Sequence, residues 1–141
     1  MKQGDRFSLT VDTIDSGGHG VAEVDEHKVL VPSVAPGDEL LVTIDHVSDH
    51  RNVAWASVVS IVTRGPGYRA VSCPCAVQAG GTCTGCPLMH LDNNTQDAAK
   101  TDNLRQTFAA AEISQIPVWR PTEYRLGYRN RSNFVYGQGE G

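Results

Sequence analysis

Three observations predict a mainly β fold with one helix: alternating apolar residues, abundant glycine turns, and a single stretch of helical periodicity. Phe7, Leu9 and Val11 alternate with Ser8, Thr10 and Asp12, the period of two expected of a half-buried strand. Fourteen glycines in 141 residues supply the left-handed backbone that tight turns need. The first strand is followed by a turn at Ser16-Gly17-Gly18-His19-Gly20 and a second strand, Val21 to Val24. Asp25-Glu26-His27 is a tight turn into a third strand, Lys28 to Pro32. Pro36-Gly37-Asp38 is the next turn, because proline presets φ and glycine accepts φ > 0. Leu40 to Ile44 is a fourth strand, and Val53 to Val62 a fifth, with Ala54, Ala56 and Val58 in alternation. Five short strands with Gly/Pro turns and no intervening helix predict a small five-stranded OB-like barrel over residues 1–62.

A sharp turn at Arg64-Gly65-Pro66-Gly67 leads into a cysteine-rich segment, residues 63–92. The helix is expected from Leu91 to about Ile113, capped by Asp92, Asn93 or Asn94 and ended by Ile116-Pro117. Ala98, Thr101, Leu104, Phe108 and Ala111 give it one narrow apolar face. Residues 114–141 read as the start of a β domain that stops early. The divisions are thus 1–62, 63–92 and 93–141.

Length excludes a TIM barrel, which needs about 250 residues. Mean hydropathy is −0.29, and no apolar run approaches the roughly 20 residues of a membrane helix. No leader is visible at Met1, so a soluble cytoplasmic monomer with no membrane partner is expected. The net charge of −4 is unevenly placed. Residues 1–62 carry 10 acidic and 4 basic side chains, and residues 63–141 carry 6 and 8.

All four cysteines, Cys73, Cys75, Cys83 and Cys86, fall within 14 residues. Cys83-Thr84-Gly85-Cys86 is a Cys-x-x-Cys pair, a spacing at which two thiolates can chelate one metal. Four readings compete: a disulfide or idle thiols, a thioredoxin-like redox pair, a zinc site with four cysteine ligands, and an iron–sulfur cluster. No sign of an oxidising compartment favours the first, and no βαβ pattern supports the second. Thiolate ligation alone does not separate zinc from iron–sulfur. His90 is either a zinc ligand or a helix-start residue bonding locally. The other histidines read as surface turn residues.

Cys75-x7-Cys83-x2-Cys86, followed by His90, Lys100-Thr101, Leu104 and Gly127-Tyr128-Arg129-Asn130-Arg131, resembles the iron–sulfur and following segments of the RNA 5-methyluridine methyltransferases. Gly18-His19-Gly20-Val21-Ala22, Val31-Pro32 and Pro36-Gly37-Asp38 make residues 1–62 similar to the TRAM domain often found at the N-terminus of that family. The resemblance implies a [4Fe–4S] cluster, with Zn2+ the alternative. Its ligands would be Cys75, Cys83 and Cys86. Cys73, which has no family counterpart, is the candidate fourth; otherwise the cluster is incomplete. Met89 stands where many relatives have Gln.

The family methylates uracil C5 from S-adenosylmethionine, using a cysteine thiolate that attacks C6 of the base. The resemblance places that cysteine, the proton-abstracting carboxylate and the cofactor domain C-terminal to these residues. All four cysteines are already assigned to the cluster, so none is the nucleophile. The expectation is the RNA-recognition portion of such an enzyme, acting on 23S rRNA and inactive by itself. A stand-alone zinc-binding RNA adaptor is the alternative, and a redox-sensing interaction protein a third class.

From Trp119 to Tyr136, arginines interleave with aromatics. Arginine forks can meet phosphates, and aromatic faces can stack on unpaired bases. Arg120, Arg125, Tyr128, Arg129, Asn130 and Arg131 are the candidate RNA contacts; the competing reading is an amphipathic strand with solvated arginines. The acidic barrel either presents Arg6, Lys28 and Arg51 to RNA or serves only to pack against a catalytic domain.

Overall fold

The computed structural model describes residues 1–118, 120–123 and 125–127. Six strands form one sheet: β1 Arg6–Thr10, β2 Thr13–Ile14, β3 Gly20–Val24, β4 His27–Val31, β5 Glu39–Val47 and β6 Val53–Thr63. Their order is β1-β5-β6-β4-β3-β2. Every pairing is antiparallel except β4 with β6. The final strand in sequence therefore lies in the middle of the sheet.

The expected five strands are six, because the first is bent into two. β1 and β2 occupy opposite ends of the strand order, yet only Val11 and Asp12 separate them. At the bend, Val11 N donates to Asp38 O at 2.9 Å, and Asp12 N donates to Val21 O at 2.8 Å. One stretch of chain thus pairs with β5 through its first half and with β3 through its second. The sheet turns back on itself around Leu9, Val11, Val29, Val31, Leu40, Val42 and Ile44, all buried. Register shifts between β5 and β6 add local twist. The β3–β4 hairpin turns on Asp25 and Glu26 alone, with φ of 48° and 64°, the geometry of a type I′ turn. At Gly20, a side chain would overlap Val34 and Val11 in the core.

One α-helix follows, α1 Asn93–Ala110. It starts at the expected domain boundary and ends sooner than expected. Asp92 is its N-cap, accepting from Thr95 N at 2.7 Å. It stops before Ile116-Pro117, because Glu112 takes a left-handed φ of 56° and Ile113 N folds back to Phe108 O at 2.9 Å. The packed face is also offset from the expected one. Ala99 is buried, whereas Ala98 and Ala111 are exposed and Leu104 and Phe108 are half-buried. Asn103 fixes the orientation by donating to Ile14 O at 3.2 Å. Ile14, Ala35, Leu91 and Ala99 form a second, smaller core, flanked by Tyr68 and Leu88.

No strand occurs among the described residues after α1. The β domain expected over 114–141 falls largely outside the described residues. Among the described residues, no helix is long and apolar enough to cross a membrane.

Candidate functional site

The cysteine segment leaves and rejoins the body of the protein through a clasp. Tyr68 bridges Leu91, Arg69 N donates to His90 O at 2.9 Å, and Asp92 N donates to Gly67 O at 2.8 Å. Residues 70–89 are the excursion between the two arms. Gly67 lies flush against Thr95, with no room for a side chain.

Three polar or steric contacts fix this clasp to the barrel. Asp38 is fully buried. Its carboxylate accepts from Ala35 N at 3.0 Å, Gly65 N at 2.7 Å and the Arg64 guanidinium at 2.8 Å. Arg64 in turn lies over the Tyr68 ring, 3.8 Å from its centre, a cation–π contact. Gly65 has no space for a Cβ, which would meet Pro36 O and Asp38 N. His90, also fully buried, reaches Val34 O through Nε2 at 2.9 Å. Its Nδ1 has no hydrogen-bond partner among the described residues. Burial pushes the ring pKa below its ordinary value, and because a carbonyl oxygen only accepts, the neutral ring carries its proton on Nε2. This corrects both readings of His90: it is turned to the barrel carbonyl, neither bonded locally nor shared with the cysteines. The third contact is the loop before β3, where Asp15 accepts from Gly17 N and His19 N, both at 2.8 Å. That holds Gly18 (φ 87°) against Pro87; an added Cβ would sit 2.8 Å from the proline Cβ.

Within the excursion, backbone geometry joins two of the cysteines. Cys83 N donates to Cys75 O at 2.9 Å, and Val77 N donates to Cys83 O at 3.0 Å. Gly81 packs on the Cys75 carbonyl, where a side chain would clash. Gln78 Nε2 donates to Cys86 O at 3.3 Å and Pro87 O at 3.2 Å, fixing the turn after the second pair. All four thiols are free; Cys75, Cys83 and Cys86 are exposed and Cys73 half-buried. This donor set suits a thiophilic metal or an iron–sulfur cluster, and the backbone already aligns Cys75 with Cys83. Among the described residues, however, no three Cys, His, Asp or Glu side chains converge as a metal-binding group.

Of the candidate RNA contacts, Arg120 and Arg125 are described. Arg125 forms a two-pronged ion pair with Asp97 on α1, at 2.7 and 2.6 Å. That hydrogen bonding raises the Arg125 pKa. Arg120 and Arg125 border a groove of about 640 Å3 that also includes Cys86. Arg69 and Lys100, which were not among the candidate RNA contacts, line the same groove. Tyr128, Arg129, Asn130 and Arg131 lie outside the described residues, as do Trp119 and Tyr124. On the barrel, Lys28 sits opposite Val53 in the sheet and its amide bonds Asn52 O beside Arg51, while Arg6 lies on β1 opposite Thr43.

A mainly β body with a clamped cysteine excursion and an arginine-lined groove is the arrangement to set beside known proteins. Bacterial proteins named as RNA methyltransferases match it along nearly its whole length. An uncharacterized RNA methyltransferase of Bdellovibrio bacteriovorus is 33% identical over 91% of this chain and 32% of its own length. One of Synechocystis is 30% identical over 94% of this chain and 28% of its own. One of Listeria innocua is 26% identical over 97% and 29%. The chain thus spans under a third of the length of these relatives. No family model matches.

Proposed function

We propose that this chain is the RNA-recognition and [4Fe–4S]-binding N-terminal portion of an S-adenosylmethionine-dependent RNA (uracil-C5-) methyltransferase. The observation that carries the reading is the similarity to RNA methyltransferases across nearly the whole chain, cysteine excursion included. The strand order, with its bent first strand and one parallel pair, supports a TRAM-type OB barrel over residues 1–62. Cys75, Cys83 and Cys86 would hold the cluster, with Cys73 as fourth ligand, and the cluster would supply a rigid core to an excursion that lacks one. Cys75 and Cys83 are aligned by backbone hydrogen bonds; the thiols would complete the site by turning inward. Arg120 and Arg125, with Tyr128, Arg129, Asn130 and Arg131, would meet RNA, and 23S rRNA in the cytoplasm is the substrate proposed. Methyl transfer itself belongs to S-adenosylmethionine and a catalytic cysteine that this reading places outside the chain.

The test is metal analysis with a visible spectrum on anaerobically purified chain. Iron and sulfide with broad visible absorption are expected, and Cys83→Ser should abolish them. Stoichiometric zinc without a visible band would replace this reading with the zinc-binding RNA adaptor. The purified chain mixed with S-adenosylmethionine should not methylate RNA; methylation would overturn the division of labour proposed.

A further inference from the structure

The groove beside Cys86 has a shape and charge that the sequence reading did not anticipate. One wall is the turn from Gly85 to Met89, and the other is α1 at Gln96 and Lys100; Arg120, Thr122, Arg125 and Leu126 complete it. A volume of about 640 Å3 falls within the range of small-ligand sites. Among the described residues, four cations face it: Arg69, Lys100, Arg120 and Arg125. They are not equivalent. Arg125 is matched by the Asp97 carboxylate. The Arg69 side chain instead bonds two neutral oxygens, Met89 O at 3.0 Å and Asn93 Oδ1 at 3.4 Å. Those acceptors orient the guanidinium without a carboxylate hydrogen bond, the Asp92 carboxylate acting on it only through space, so it keeps an attraction for an incoming anion. Leu88, Met89 and Leu126 provide apolar surface beside these charges. Gln78, bonded to Cys86 O and Pro87 O, braces the floor from behind.

An anion attached to a flat, weakly polar body fits that combination. We propose that the groove seats one unpaired nucleotide of single-stranded RNA, its phosphate against Arg69 and Arg120 and its base against Met89 and Leu126. The inference rests on the RNA-binding reading above and adds Arg69, Met89 and Leu126 to it. Unpaired RNA is favoured over duplex, because a groove of about 640 Å3 holds a splayed base and not a helix.

The test is fluorescence anisotropy with a labelled single-stranded oligouridylate and the full chain. Arg69→Ala should weaken binding about tenfold, the scale of one charge-assisted contact, and Arg69→Lys should restore part of it. Lys100→Gln, on α1, should weaken binding and lower the salt dependence by about 0.7 in log–log slope. Arg105→Ala, on the same helix but outside the groove, should change nothing. If the unsubstituted chain binds the oligonucleotide and both Arg69→Ala and Lys100→Gln match it, the groove assignment is wrong while the RNA reading stands. If the unsubstituted chain does not bind, both fall. Tighter binding of the same sequence as duplex would also overturn the proposal.

Discussion

The barrel and the cysteine excursion are held together by opposite means. Leu40, Val42, Val29 and Val31 are wholly buried within the barrel, each worth about 1.5–3 kcal/mol of removal from water. Across residues 70–89, Ala76 alone is buried. The excursion relies on backbone hydrogen bonds, a glutamine brace and two arms attached to the barrel. A segment of that kind belongs to the low end of local stability. Its missing apolar core is the physical reason a metal–thiolate centre would matter there, since ligation energy becomes folding energy.

The two regions are most vulnerable at the point where they meet. Asp38→Ala should cost about 4 kcal/mol in urea unfolding, because Ala35 N and Gly65 N lose their buried acceptor and Arg64 its carboxylate. A loss confined to proteolysis of residues 64–92, with barrel stability intact, would show that the hub serves the excursion only. Leu40→Ala should cost about 3 kcal/mol and lower both regions together, since the clasp is built on the barrel.

Acid should separate them further through His90. That residue has an ordinary pKa of 6.5, lowered in the fold by burial. Above that value both folded and unfolded chains carry a neutral ring. Below it the unfolded chain takes up a proton that the folded one refuses, so stability falls with falling pH until the lowered folded value is passed. The slope should reach about 1.4 kcal/mol per pH unit and vanish in His90→Gln, as read from urea midpoints. Asp92→Ala removes the cap on Thr95 N and should cost about 1 kcal/mol, seen as lost helical circular dichroism. The cap bond to Thr95 also lowers the Asp92 pKa. Its contribution is therefore present above the ordinary carboxylate value and fades as pH drops through the lowered one. Arg105→Ala breaks an exposed pair with Asp102 and should change stability by about 0.5 kcal/mol or less.

Alternation made the strands legible, because Leu9, Leu40 and Ala54 obey the period that one buried face imposes. The bend at Val11-Asp12 was not legible. Its cause is pairing with Asp38 and Val21, far along the chain. Asp38 read as a turn residue, and nothing adjacent announces that Arg64 and Gly65 will close over it. His90 was singled out for its proximity to cysteines, but its partner is Val34, 56 positions earlier in the chain. The helix was placed well and its buried side placed poorly, since Ala98 and Ala99 differ only in what lies opposite them. The thiols were found by spacing alone, and Arg69 and Lys100 were missed because a groove is a property of three segments at once.

The central position of β6 bears on how the chain is made. Ribosomes add about 5–20 residues per second, and β4 and β5 have no shared neighbour until Val53–Thr63 has emerged. For about a second or more, a nascent β5 offers an unpaired edge to any passing strand. Residues of the first strand, translated earliest, wait longest for β5. The barrel is therefore closed at its middle last of all, and translation speed through residues 48–63 sets how long its half-built form is open to misassembly.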